Sequence, residues 1–222
     1  MNPILKIGHR GAKGYEPENT LIAFRKAIDL KVDGIELDVH LSLDGEIMVI
    51  HDETIDRTTN EKGFVKNFTS LQLNELGIPT LIEVFDLVNQ KSFINIELKG
   101  TETSKPVVDL IIHFISEKNW NYTNFLVSSF DWKMLEEVNL LNPKIRIGVL
   151  TEEDVVEALA FAKKVKIFSI HPNYQLLTKE NVALIQENGF KVFPWTVNSK
   201  EDIQKLKSFN INGIISDFPD RI

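Results

Sequence analysis

Short apolar runs alternate with longer amphipathic segments along almost the whole chain. Residues 4–8 read as a strand, and Asn19 or Thr20 caps a helix that runs to about Leu30. The apolar stripe of that helix is Leu21, Ala23, Phe24, Ala27, Ile28 and Leu30. Residues 34–40 form a second strand, with a short extra strand over 46–50 beside it. A helix opens at Thr80, after Pro79, and runs towards Asn89. The strand 93–98 follows, then a helix from about Ser104 to Lys118. The alternation then repeats, with strands over 125–128, 145–150, 166–170, 191–195 and 213–216 and helices over 132–141, 154–163, 179–188 and 200–207.

Setting the extra strand aside, the count is eight strands and seven covering helices. Strand–helix alternation with short loops predicts a parallel sheet covered by helices. The count fits a closed TIM (β/α)8-type barrel better than an open doubly wound sheet. The chain ends at Ile222, only five residues past Asp217, so an eighth helix has no room. No linker or low-complexity tract interrupts the pattern, so residues 1–222 are expected to form a single domain.

Composition narrows the partners. A hydrophobic fraction of 43% with 26% charged residues is ordinary for a globular chain. The net charge of −7 argues against a nucleic-acid partner, because binding a phosphate backbone needs a cationic face. A small phosphate ester needs only a few local cations. The absence of cysteine excludes disulfides and thiolate chemistry. The segment from Met1 to Ile7 is too short and too soon interrupted for a signal peptide, and no apolar stretch approaches the ~20 residues that span a bilayer. A soluble, cytoplasmic protein without a transmembrane segment is therefore expected.

The chemistry-bearing residues cluster at the carboxyl ends of the early strands, where the mouth of a parallel barrel carries its active site. Glu36 and Asp38 lie two apart on a strand and so face the same side. Paired buried carboxylates repel unless a cation is shared, and Mg²⁺ or Ca²⁺ suits oxygen ligands. Glu97, near the end of the next barrel strand, completes a ligand set. The plainer alternative is an ion pair with Lys99 and a solvated second carboxylate.

His9 and His51 each end an apolar run, and imidazoles that titrate near neutrality can give and take protons around one bond. Asp52 either orients His51 or binds a substrate hydroxyl. His40 shares the Glu36 and Asp38 face but lies further along, which suits a structural or supporting role. Arg10 and Lys99 either hold a phosphate or neutralise the carboxylates. Glu18 is an outer ligand or a favourable charge at a helix start, and Asn19 a cap or a donor to phosphate oxygen. In the second half, His171 and Trp195 fall at strand ends on the rim. Trp195 suits an apolar wall for a substrate carbon chain, and His171 a structural role. Phe130, Trp132, Phe161 and Phe168 read as core or packing aromatics.

Taken in order, His9-Arg10-Gly11, Glu18-Asn19-Thr20, Glu36-Leu37-Asp38-Val39, His51-Asp52, Arg57-Thr58-Thr59, Ile78-Pro79-Thr80-Leu81-Ile82-Glu83-Val84 and Glu97-Leu98-Lys99 resemble the glycerophosphodiester phosphodiesterase family. Trp195-Thr196-Val197-Asn198 and Gly213-Ile214-Ile215-Ser216-Asp217-Phe218-Pro219 are similar to that family's last two strand ends. The resemblance covers essentially the whole chain, and the ordered set is more specific than any one motif. It implies a TIM-barrel hydrolase that splits a small-molecule glycerophosphodiester into glycerol 3-phosphate and an alcohol. Glu36, Asp38 and Glu97 match its divalent-metal ligands, His9 and His51 its acid/base pair, and Arg10 and Lys99 its phosphate contacts.

Two departures from the family pattern bear on selectivity and assembly. Only Gly77 separates the segment 71–76 from the Ile78-Pro79-Thr80-Leu81 motif, where family members usually carry a sizeable insertion that covers the substrate. A more open mouth is expected. The missing eighth helix would expose a flank that a second copy could cover, which predicts a homodimer. Two other readings remain at this stage: phospholipase D-like hydrolysis of lysophospholipids or another phosphodiester, and a non-catalytic barrel that only binds phosphate.

Overall fold

The computed structural model describes residues 3–222. Met1 and Asn2, which begin the segment weighed above as a leader, lie outside the described residues. The strands are β1 (Leu5–Gly8), β2 (Gly34–Leu41), β3 (Ile47–Val49), β4 (Phe93–Leu98), β5 (Phe125–Ser129), β6 (Arg146–Thr151), β7 (Ser169–Pro172), β8 (Lys191–Val192) and β9 (Gly213–Ser216). The helices are α1 (Leu21–Asp29), α2 (Ser70–Glu75), α3 (Leu81–Val88), α4 (Ser104–Glu117), α5 (Trp132–Leu141), α6 (Val155–Ala162), α7 (Lys179–Glu187) and α8 (Lys200–Lys207).

The strands run in the order β8-β7-β6-β5-β4-β2-β1-β9, all parallel, with β3 antiparallel on β2. The seam between β8 and β9 is spanned by backbone hydrogen bonds, Asn212 N to Val192 O at 3.2 Å and Ile215 N to Pro194 O at 3.0 Å. The result is a nearly closed eight-stranded (β/α) barrel. Strands buried on both faces carry near-continuous apolar runs, as parallel sheets do. Outward residues such as Ile35, Leu37, Ile94, Ile96, Val127 and Ile147 pack under the helices, while Ile7, Leu126, Phe193 and Ile215 fill the interior.

Two interior glycines make room for large rings. A Cβ on Gly34 would lie 2.3 Å from the Phe93 ring, and one on Gly148 would lie 2.5 Å from His171 Nε2. The lower interior is thus packed, and the chemistry is confined to the carboxyl-terminal mouth.

Three local features differ from the sequence pattern. The strand expected over 191–195 keeps regular pairing only over Lys191–Val192, because Pro194 has no N–H to donate; Phe193 N and Trp195 N still bond Ile170 O and Pro172 O. The strand expected over 166–170 starts at Ser169, since the chain turns tightly with Ile167 N on Val165 O. Helix α2 shows no period in the sequence. It is short, and a capping box between Thr69 and Gln72 starts it. At α1, Thr20 is the cap, its hydroxyl accepting from Ala23 N.

Among the described residues no α-helix follows β9, but that flank is not bare. After β9 a single 3-10 turn, Pro219–Arg221, lies against β1, and Ile222 packs on the core while its carbonyl accepts from Lys207 Nζ. Residues 219–222 thus occupy part of the flank on which the homodimer expectation rests. No helix among the described residues is long and apolar enough to cross a membrane.

Candidate active site

Register brings the acidic residues together. Asp38 on β2 stands opposite Glu97 on β4, with Glu36 one inward-facing step deeper. Ligand oxygens from Glu36, Asp38 and Glu97 all lie within 4.8 Å of one another, and all three residues are buried. Burial, with repulsion from Asp38 and Glu97, pushes the Glu36 carboxyl well above the usual carboxylate range. Burial likewise pushes Glu97 to about 7, against the pull of Lys99.

Around this cradle the cations are held in place. Arg10, at a left-handed φ of 48°, gives its backbone N–H to Glu36 Oε2 at 2.9 Å. Its guanidinium donates to Glu18 Oε1 at 2.8 Å and lies 3.3 Å from Asp38 Oδ2. Asn19, also left-handed at 56°, donates Nδ2 to Asp38 Oδ2 at 2.9 Å. Lys99 Nζ donates to Glu97 Oε1 at 3.0 Å and sits 3.2 Å from His51 Nε2.

The two histidines are oriented in the same way from opposite sides. His9 follows β1, and the Gly8–Ser216 register of the β1–β9 pair brings it to Asp217, whose Oδ1 is 2.6 Å from His9 Nδ1. Asn198 donates Nδ2 to the other Asp217 oxygen at 2.7 Å and fixes that carboxylate. His51 Nδ1 is 2.6 Å from Asp52 Oδ1, and Arg57 Nε donates to Asp52 Oδ2 at 2.7 Å. With each Nδ1 donating to a carboxylate, each Nε2 carries the lone pair; that of His51 lies 3.2 Å from Lys99 Nζ and that of His9 lies 4.0 Å from Glu36 Oε2. Burial lowers the His9 pKa below 6.5, against the raising pull of Asp217. Hydrogen bonds from Arg57 hold Asp52 well below the usual range, despite some burial, and they help to draw Glu18 down to about 2 against its own desolvation.

These groups open onto one cavity of about 320 Å³, which His9, Arg10, His51 and Lys99 line on one side and Phe130, Leu150, Glu152 and Trp195 on the other. A larger cavity of about 820 Å³ lies near the opposite end, around Leu5, Phe168, Lys191 and Phe193. No carboxylate or imidazole lines it, so it offers nothing for this chemistry.

Every sequence-predicted site residue lies in or beside the mouth, though several hold partners rather than open positions. Both oxygens of Asp52 are engaged by His51 and Arg57, which fits orientation and leaves little for a substrate hydroxyl. Glu18 Oε1 accepts from Arg10 and Arg57, and Asn19 donates Nδ2 to Asp38 while its Oδ1 is buried with no described partner. His40 Nε2 bonds His51 O at 3.1 Å and supports that loop. Trp195 donates Nε1 to His171 O at 2.8 Å.

Two expectations need correction. His171 is not on the rim: it is 0% exposed, with Nε2 2.7 Å from Ser169 Oγ, and burial pushes its pKa to about 3. Phe130 is not a core aromatic: it is 40% exposed, meets Trp195 edge-to-face and lines the cavity. Asp217, Asn198 and Arg57 escaped the sequence reading as site residues. Asp217 follows its strand directly, as His9 does, and that position is the signal that could have found it.

The Glycerophosphoryl diester phosphodiesterase family model matches residues 9–221. A glycerophosphodiester phosphodiesterase of Caldanaerobacter subterraneus subsp. tengcongensis is 40% identical, with 98% of this chain and 96% of the relative covered. One from Bacillus altitudinis is 40% identical over 97% of this chain and 95% of its own. The crystal structure of the Thermotoga maritima glycerophosphodiester phosphodiesterase superposes with a TM-score of 0.87 at 33% identity, covering 99% and 97% of the two chains. An Oleispira antarctica phosphodiesterase in complex with the product sn-glycerol-3-phosphate gives 0.88 at 26% identity, covering 99% of this chain and 95% of that one. The ordered motifs, the nearly closed barrel and this agreement along the whole chain converge on one assignment: the chain belongs to the glycerophosphoryl diester phosphodiesterase family.

Proposed function

We propose that this phosphoric diester hydrolase cleaves glycerophosphodiesters to glycerol 3-phosphate and an alcohol, with His9 and His51 as its proton carriers. The observation that carries the reading is the pair of imidazoles, each held at Nδ1 by a carboxylate and both lining the cavity with Glu36 and Glu97. One imidazole takes the proton from the attacking hydroxyl as its oxygen bonds phosphorus. The other gives a proton to the alcohol oxygen as its bond to phosphorus breaks. Arg10 and Lys99 meet the charge that builds on the phosphoryl oxygens. Asp217 and Asp52 fix the tautomer and direction of the two rings.

The three acids fit a divalent cation, Mg²⁺ or Ca²⁺. Their oxygens converge, Glu36 and Glu97 resist ionisation without a counter-charge, and Asp38 Oδ1 is buried with no hydrogen-bond partner among the described residues. When bound, such an ion supplies Lewis-acid polarisation of phosphoryl oxygen and eases deprotonation of the nucleophile. The 320 Å³ cavity is at the small end for ligand sites, which favours a compact diester over a lysophospholipid.

The test is hydrolysis of glycerophosphocholine, glycerophosphoethanolamine and a lysophospholipid, with products identified. Glycerol 3-phosphate and free choline are expected from the first. EDTA should abolish turnover, and Mg²⁺ or Ca²⁺ should restore it. Release of choline phosphate would place the cut on the wrong side of phosphorus, and no turnover with either metal would favour a binding barrel.

A further inference from the structure

Glu152 is a charged group in the cavity wall that the phosphate chemistry leaves unused. It stands directly after β6, beyond Leu150, on the side that Phe130 and Trp195 close. The turn that carries it is fixed, because Glu153 N and Asp154 N both donate to Thr151 Oγ1. Its charge does not serve the next helix, since Asp154 caps α6 by accepting from Val156 N and Glu157 N. Glu152 is exposed, and its carboxylate makes no hydrogen bond or ion pair to any described residue.

An unneutralised carboxylate is a poor lining for a cavity that takes a phosphodiester anion, because like charges repel. The other carboxylates of this cavity are matched by Arg10 and Lys99 or converge as a cation cradle. Glu152 is matched by nothing, and so it fits a substrate that brings its own positive charge to that wall. The rings beside it favour the same charge. Phe130 and Trp195 meet at 90° with centroids 5.5 Å apart, which makes an aromatic corner. The faces of both rings carry the negative potential that attracts an ammonium group. Leu150 adds an apolar surface for methyl or methylene groups.

We propose that Glu152, with Phe130 and Trp195, forms a subsite for a cationic amine on the alcohol half of the diester. The inference rests on the reading of the cavity as a glycerophosphodiester site, and it assigns to Glu152 the ranking of cationic over neutral alcohols among those diesters. Glu152 acts through charge at this wall and takes no part in the bond exchange.

The experiment compares kcat/KM for glycerophosphocholine and glycerophosphoglycerol in the wild type, Glu152→Gln and Glu152→Lys. The wild type is expected to prefer the choline ester. Glu152→Gln should lower the choline-to-glycerol ratio by roughly two- to fivefold, mainly through KM, and Glu152→Lys should lower it further. Rising salt should shrink the wild-type ratio, as it does for exposed charge pairs. A ratio unchanged in both variants overturns the subsite, as does an equal loss on both substrates, which would mean that Glu152 serves the glycerol half they share. A wild type that cleaves neither ester fails differently: it removes the reading of the cavity itself, and the subsite with it.

Discussion

Metal-free protein should lose stability as pH rises through the weakly acidic range, and a divalent ion should abolish that loss. Glu97 is pushed from an ordinary 4.5 to about 7 by burial beside Asp38. A carboxyl raised in the fold binds more protons folded than unfolded between these values. Its full contribution is thus present below about 4.5 and is lost progressively as pH climbs to 7. The shift corresponds to at most about 3 kcal/mol, at 1.36 kcal/mol for each pH unit. For a chain of this size that is roughly 6–12 °C in Tm. A bound ion favours the ionised carboxylates, so millimolar Mg²⁺ or Ca²⁺ should raise Tm most at pH 7–8 and least near pH 5. An ion at a hundred times its Kd adds about 2.7 kcal/mol. The assay is thermal unfolding by circular dichroism at half-unit steps from pH 5 to 8, with EDTA or with metal. Identical slopes in the two series would refute the reasoning, because they would mean that the three acids do not share a cation.

Three further outcomes follow from the geometry. His9→Ala and His51→Ala should each reduce kcat at least ~10²-fold, the lower range for proton transfer, in steady-state assays on glycerophosphocholine. Asp217→Asn removes the carboxylate on His9 Nδ1 and should lower kcat by roughly 10- to 10²-fold with little change in KM. Because Asp217 raises the His9 pKa, the limb of the pH–rate profile that His9 sets should also move to lower pH, and a profile with neither limb moved would mean that Asp217 does not act on His9. Gly148→Ala drives a methyl into His171 and should destabilise the fold by about 1–3 kcal/mol in urea unfolding; a wild-type midpoint would show that the ring can move aside.

The barrel was legible in the sequence because its signals are local. Alternating apolar runs and amphipathic stripes, with Thr20 and Thr80 as caps, place most elements within a few residues of where they fold. Where the pattern and the fold differ the cause is local: Pro194 interrupts one strand, a tight turn at Val165–Ile167 delays another, and α2 is too short to show a period. The acids were legible for a similar reason. Residues two apart on a strand share a face, and strand ends in a parallel barrel share a rim, so Glu36, Asp38, Glu97, His9 and His51 could be gathered without coordinates.

Partnership was another matter. Nothing local in the chain says that His9 leans on a carboxylate 208 residues away, or that Arg57 ties Asp52 to Glu18. Those pairings depend on which strands become neighbours at the seam and on how far the loops fold over the mouth. The same holds for depth. His171 and Phe130 sit at comparable places near strand ends, yet one is sealed inside and the other lines the cavity. What decided between them was the space left by Gly148 and by the neighbouring strands, which is a property of packing. By itself, then, the sequence determined the elements, their alternation and the inventory of acids, bases and cations. Tertiary structure alone decided which of them touch, which are buried and so shifted in pKa, and which face a ligand, because contact and desolvation arise only when distant segments close on one another.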